Sequence, residues 1–568
     1  MTYVVTQNCC NDATCVSACP VNCIHPTPDE PGYATAEMLY IDPDACIDCG
    51  ACVDVCPVDA IEADFDLTAD AERYLEINER FFADPANKTY SAAPYEPRKP
   101  AVAVTERGPL RVAIVGSGPA ACYAAEELLT RKGVDAEVHL FERLPTPWGL
   151  VRFGVAPDHQ DTKSVTKLFT RTAGRSGLDF HLNVEVGNHV SHEELLAHHH
   201  AVIYAVGASS DRTLGVPGED LPGSHSATDF VAWYNGHPDF ADRSFDLSAE
   251  RAVIVGNGNV ALDVARILAS DVDELARTDI ADRALEALAT SKITEVVVLG
   301  RRGPAQAAFT SPELLGLAGT SGVDVVVDPA EAALDALTEA ALASEPHAMA
   351  GLKAKLVGEL AQRPITGSGK RVLLRFLASP VEITGEDRVR GLRVVRNELV
   401  DSGDGRLGAR ATAETEDIEC GLVLRSIGYK GTPVPGLPFD DARGTLPNDD
   451  GRVIDPDSGA PVAGVYTAGW IKRGPSGVIG TNKKCAEDTV HALFDDYAAG
   501  RLATPAHGGD ALRELIAERQ PQAIDYTGWK VIDRHERGTA KEQHRPRVKL
   551  TEVSEMLQVA EGSRTVAG

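Results

Sequence analysis

RVAIVGSGPAACYAAEELLTRKGVDAEVHLFER, residues 111–143, decides the fold class. RVAIVG reads as a short buried strand, AACYAAEELLTRKG as a helix with a glycine stop, and EVHLFER as a second strand. Between strand and helix stands Gly116-x-Gly118-x-x-Ala121. Glycines there let the backbone approach a pyrophosphate at the helix N-terminus. Glu142 closes the second strand, where a carboxylate accepts from ribose hydroxyls. The bland reading, a tight turn and a surface acid, leaves that combined spacing unexplained.

The same grammar returns at 252–268 as AVIVGNGNVALDVARIL, with Gly256-Asn257-Gly258-Asn259-Val260-Ala261 at the turn. Its following strand ends in Arg301-Arg302 rather than an acid. An acid would repel a 2'-phosphate, whereas paired guanidiniums can clamp one. The segment 271–292 lengthens the spacing, so the arginine register is an inference. Two turns with opposite following residues imply FAD at the first and NADP(H) at the second. Cys122, Cys420 and Cys485 are too far apart in sequence for the redox pair of a disulfide reductase. Strands alternating with helices imply parallel sheets. We expect a first nucleotide domain over 110–212, a second over 213–429, and a return to the first, with a C-terminal extension, over 430–568.

Of the 12 cysteines in 568 residues, nine lie before position 57. Dense thiols clustered this way suit metal ligation in a reducing compartment better than a disulfide framework. A net charge of -29 argues against nucleic acid or an anionic membrane as partner. No apolar run is long enough to span a bilayer, and MTYVVTQNCC lacks the zones of a signal peptide, so a cytoplasmic location is expected. Before Arg73 there is no Lys or Arg, against eleven Asp and Glu in residues 1–64.

CIDCGACVDVCP at 46–57 spaces Cys46, Cys49, Cys52 and Cys56 as thiolates that wrap an iron-sulfur cubane, the fourth reaching a second cluster. CCNDATCVSACP at 9–20 repeats the register, with Cys9, Cys15 and Cys19 in place and Asp12 where the second run has Cys49. Zinc would need only four ligands and leaves a duplicated Cys-Pro ending unexplained. The reciprocal pattern assigns Cys46, Cys49, Cys52 and Cys19 to one [4Fe-4S] cluster. Cys9, Cys15 and Cys56 fall to the other, with Asp12 facing its fourth iron. A carboxylate is a harder ligand that protons compete for. That site is therefore read as either [3Fe-4S] or an Asp12-bound [4Fe-4S]. Cys10 competes with Cys9, which the repeat register favours, and Cys23 is expected as a free thiol nearby. Residues 63–84 read as a helix, 91–109 as an extended Pro-rich linker, and the end after about 545 as a polar tail.

Residues 1–62 resemble the dicluster and seven-iron bacterial ferredoxins. From Leu110 to about Val531, VAIVGSGPAACYAAE, GLVRFGVAPDH, FVAWYNG, VLGRRGPAQAAFTSPEL and AGWIKRGPSGVIGTNK resemble ferredoxin-NADP reductases of the adrenodoxin-reductase type. The whole is similar to the mycobacterial-type fusion of the two: an α+β ferredoxin domain, then an α/β flavoprotein with Rossmann-like FAD and NADP domains. The resemblance implies FAD contacts at Gly116, Gly118, Ala120, Glu142, Leu150, Val186, Trp470 and Gly477-Val478-Ile479. NADP contacts are implied at Asn257, Gly258, Asn259, Val260, Arg301, Arg302, Glu313 and Gly477. Asp158 and His159, with Trp470, would stand near the reacting flavin. It implies ferredoxin-NADP+ reductase activity, from NADPH through FAD and the clusters to an external one-electron acceptor such as a cytochrome P450 or a separate ferredoxin. The rival is an electron-feeding adaptor like the glutamate synthase small subunit, whose cysteine pattern and post-FAD motif differ. We also expect the acidic unit to dock on a basic patch through a flexible tether, weakening with salt.

Overall fold

Two parallel sheets carry the two glycine turns. The computed structural model describes residues 2–97, 102, 109–345, 349–367, 369–403 and 406–562. In the first sheet, Leu110–Val115 lies between Ala136–Glu142 and Ala201–Tyr204. Leu178–Leu182 flanks one side and the returning Pro461–Thr467 the other, all parallel. An antiparallel edge, Arg452–Ile454 and Asn448–Asp449, completes its seven strands. The second sheet has six parallel strands drawn from residues 224–425, with Arg251–Val255 at its centre. The central strands are fully buried runs of Val, Ile and Ala, as sheets covered on both faces demand. A three-stranded antiparallel sheet (Ala378–Thr384, Gly391–Asp401, Leu407–Glu419) stands beside the second.

The N-terminal unit is built twice over. Helices Thr14–Ala18 and Ala51–Val55 each follow a left-handed residue, Ala13 (φ 56°) and Gly50 (φ 73°). Those two positions correspond in the cysteine repeat, so the duplication extends to the backbone. Strand Tyr3–Val5 pairs with Ile61–Ala63, and Ile24–His25 with Tyr40–Ile41, both antiparallel. The helix expected over 63–84 is Arg73–Ala83; the acid-rich residues before it turn instead. Its buried Asn78 accepts from the amides of Val5 (3.3 Å) and Ile41 (2.9 Å) and donates to Val5 O (3.0 Å), sewing helix to strands.

The expected dock on basic residues comes with an apolar seam that the sequence did not show. The unit shares one continuous buried core with the second sheet, from Val4 and Ile77 to Leu314 and Leu352. Basic partners are present: Lys353 pairs with Glu37 at 3.1 Å, Lys484 faces Asp29 at 3.7 Å, and Lys355 pairs with Glu76. Glu37 also accepts from the Ser311 amide at 2.7 Å, so its carboxylate stabilises the N-terminus of the helix Ser311–Ala318. Apolar burial, which salt does not screen, accompanies these pairs. Most of the linker, 98–101 and 103–108, lies outside the described residues.

The tail is also not the bland polar extension read from sequence. Lys549 is buried, with Nζ 3.1 Å from Asp279 and donating to Arg152 O at 3.1 Å. Lys163 of the first nucleotide unit reaches the same Asp279 at 2.6 Å. The helix Val553–Gly562 then buries Met556 and Leu557. Among the described residues no helix is long and apolar enough to cross a membrane.

Candidate functional site

At the first turn Gly116 has φ 104°, and a Cβ there would meet Ala205 O at 2.5 Å. Only glycine fits. At Gly118 the space a Cβ would fill is open, which leaves room for a ligand phosphate. Glu142 accepts from Ser117 Oγ at 2.5 Å and from the Leu144 amide at 3.0 Å, while burial pushes its carboxyl up. Ala120 packs on Gly469, whose added Cβ would lie 2.7 Å away, so the returning chain closes onto the turn. Trp470 follows, donating its indole N–H to Ser476 O at 3.2 Å. Gly477 has φ 76°, and Asn482 donates to the carbonyls of Val478 (3.2 Å) and Ile479 (2.9 Å) at the start of the helix Thr481–Ala498. Leu150 is 38% exposed and follows Gly149, which abuts Gly118. Val186 packs against the core that holds Val115, just before the turn, and Ile471.

The second turn repeats these features. Gly256 has φ 115° and Gly258 is open. Asn257 and Val260 flank the turn, and Asn259 accepts from the Thr310 amide at 2.8 Å. Arg301 and Arg302 make no ion pair with a carboxylate among the described residues, and burial followed by Arg301 and Arg406 lowers the Arg302 pKa. Paired guanidiniums at Arg301 and Arg302 suit an anion such as a 2'-phosphate.

The two nucleotide units meet at Arg266. Its guanidinium reaches Asp158 (2.7 Å), Asp263 (2.5 Å) and Glu313 (2.8 Å). His159 lies 3.6 Å from Asp263 and 3.8 Å from Glu313. Burial opposes the Asp158 charge, yet Arg266 holds its carboxyl below the usual range. Burial, then Glu313, pushes Asp263 up to about 7, and burial lowers His159. Asp158, His159 and Arg266 line a polar cavity of about 310 Å³, together with Gln7 and Asn8 of the N-terminal unit. Arg266 and Asp263 carried no sequence signal beyond their place in a nucleotide-binding helix.

The cysteines gather into two groups. Cys19, Cys46, Cys49 and Cys52 surround one void with Tyr3, Val21, Ile24 and Ile41, the four thiols that the reciprocal pattern assigns together. An all-sulfur donor set in an apolar wall fits a cubane cluster. Cys23 lines the same void, 3.5 Å from Cys19 Sγ; its hydrogen bonds lower the Cys19 and Cys46 thiols to about 6 and about 5. In the other group, Asp12, Cys9 and Cys56 act on Cys15 most strongly after burial, and Cys52 of the first group follows. Burial pushes Cys15 up, and Cys9 to about 12. Asp12 is buried, and its carboxylate accepts from the Thr14 amide (3.3 Å) and hydroxyl. Cys10 turns its side chain into the core formed by Val58, Ala120 and Ala121. Thr14 thus engages the carboxylate that the repeat sets in place of a fourth thiol.

This second group lies on the first nucleotide unit. The Gly480 amide donates to Cys10 O at 2.6 Å, and Lys483 Nζ donates to Asp12 O at 3.1 Å. No side chain could replace Gly480, because a Cβ would strike Asn11 and Asp12. Ser164 Oγ donates to Pro57 O at 2.6 Å.

A family model of 4Fe-4S binding domains matches residues 39–62, and one of pyridine nucleotide-disulphide oxidoreductases matches 110–298. A probable ferredoxin/ferredoxin–NADP reductase of Mycobacterium bovis is 52% identical over 566 residues, covering 99% of this chain and 95% of that one. The mitochondrial NADPH:adrenodoxin oxidoreductase of Salvelinus fontinalis is 43% identical over 460 residues, 79% of this chain and 91% of its own. The structure of Mycobacterium tuberculosis FprA in complex with NADPH superposes with a TM-score of 0.75 at 50% identity, over 80% of this chain and all of that one. The likeness runs through both cysteine groups and both glycine turns, and the chain belongs to the ferredoxin/ferredoxin–NADP reductase family.

Proposed function

We propose that the chain oxidises NADPH at the second glycine turn, holds FAD at the first, and carries two iron-sulfur clusters on its N-terminal thiols. When bound, FAD accepts a hydride and releases electrons singly, the chemistry that joins a two-electron donor to one-electron carriers. On this reading the segments over 110–212 and 430–568 hold FAD, 213–429 holds NADP(H), and 1–62 holds the clusters.

The chain's own residues do the positioning. Arg301 and Arg302 take the 2'-phosphate, and Glu142 the ribose of FAD. Arg266 fixes Asp158, Asp263 and Glu313 around His159, so that a proton can be held between imidazole and carboxyl beside the polar cavity. Gly480 and Lys483 hold the Cys9–Cys15 loop against the segment 477–480. That last contact carries the proposal, since it sets one thiol group next to the residues assigned to FAD.

Anaerobic titration with NADPH, followed by EPR with iron and sulfide quantified, tests it. Cluster signals should appear with substoichiometric NADPH. Full NADPH-dependent dye reduction with clusters left oxidised would overturn the relay and leave the thiols a structural role.

A further inference from the structure

The two thiol groups face opposite ways. Around Cys10 and Asp12 the reductase closes the surface. Around Cys49 it is open: this cysteine is exposed, and Ile47 beside it is 58% exposed. Val53 and Val55, on the outer face of the helix Ala51–Val55, and Phe65 at 68% exposure extend the apolar surface. Phe65 is held near by the strand pairing of Ala63 with Tyr3, whose hydroxyl packs on Gly50. Four of the ten large hydrophobic side chains exposed among the described residues fall in this 19-residue stretch, 47–65. Exposed apolar groups concentrated this way mark an interaction surface.

The rim is acidic. Asp54, Asp66 and Asp70 are exposed and make no ion pair among the described residues, whereas the acids on the covered side, Glu37 and Glu76, are paired with lysines. Residues before Arg73 supply no Lys or Arg, and Lys167 of the reductase meets the stretch at Asp59, 4.0 Å away. An apolar centre with an unpaired acidic rim fits a partner with a basic rim and an apolar centre of its own.

We infer that the face around Ile47, Cys49 and Phe65 is where an external one-electron carrier protein with a basic rim docks to take electrons. The inference rests on the proposed function, because it makes the Cys49 group the outlet of the relay.

The test uses the full-length, cofactor-loaded protein with mitochondrial cytochrome c, a haem protein ringed by lysines, as probe. Asp54→Lys/Asp66→Lys/Asp70→Lys and Phe65→Ser are compared with the unaltered chain, with iron content and far-ultraviolet dichroism as checks of folding. The charge variant should lower the second-order rate of cytochrome c reduction by about tenfold at low ionic strength, and the gap should close at high salt. Reduction of the clusters by NADPH, read by EPR, should not change. Carbodiimide cross-links to cytochrome c should map to residues 48–70. Unchanged cytochrome c rates, or cross-links confined to the reductase, would overturn the docking face. Clusters that NADPH never reduces in the unaltered chain would instead sink the proposed function.

Discussion

The inner and outer thiol groups descend from one repeated pattern and have been put to different use. The outer is all sulfur, half open, with Cys23 as a fifth thiol at its wall. The inner is closed against the reductase, and at the position matching exposed Cys49 it has buried Asp12. The substitution falls on the loop that Gly480 and Lys483 grip through its main chain. The difference teaches that the residue at this slot and the docking go together. The slot that meets the reductase carries a carboxylate, tied to Thr14; the slot that meets solvent keeps its sulfur.

The comparison can be broken most severely at Cys52. Cys52→Ala should cost the outer cluster outright, removing about four irons per chain by elemental analysis while the inner signal persists. Loss of both signals together would show that the groups are not separable. Next in size is Asp12→Cys, which should convert the inner site to a persistent four-iron cluster. A three-iron EPR signal of undiminished intensity would refute the register that puts Asp12 at that iron. A subtler effect is expected of Lys483→Gln. Removing a cation beside the inner loop should lower the inner reduction potential by some tens of millivolts and the outer by less, measured by spectroelectrochemical titration. An equal shift in both would deny the inner group its place at the seam.

The smallest effect sharpens the contrast from outside, in the first sheet, where there are no thiol ligands. His139, His181 and His199 lie against one another with pKa values lowered by burial to about 4, about 3 and about 3. Their folded values are depressed, so the unfolded chain binds more protons below about 6.5. The stabilisation is complete above that pH and is lost as pH falls toward 4 and then 3. His139→Asn should flatten the acid limb of a thermal-denaturation profile by up to about 3 kcal/mol, whether or not the clusters are present. Dependence on cluster loading would mean that the two regions unfold as one.

Much of this was legible in the residues. The strand-glycine-helix turns at 111–121 and 252–261 declare themselves through period and spacing, because each is local and each glycine answers a backbone demand, as Gly116 shows at φ 104°. Cysteine spacing grouped Cys19 with the run at 46–52 for the same reason: the cluster dictates the loop. What sequence did not show is long-range. Arg266 reads as one more residue of an amphipathic helix until Asp158 and Glu313, 108 and 47 positions away, close on it. Lys549 lay in a tail read only as polar, because nothing local marks Asp279 as its partner. The apolar part of the N-terminal unit's docking was missed likewise, since a Pro-rich linker describes the connection and says nothing of the apolar faces it joins.

That shared core between the N-terminal unit and the second sheet has a kinetic consequence. A carrier fixed to its reductase never diffuses away to deliver its charge, so the internal hop is set by distance through protein. It should be indifferent to how dilute the protein is. Only the final encounter with the acceptor remains a collision, and supply to it scales with the acceptor alone.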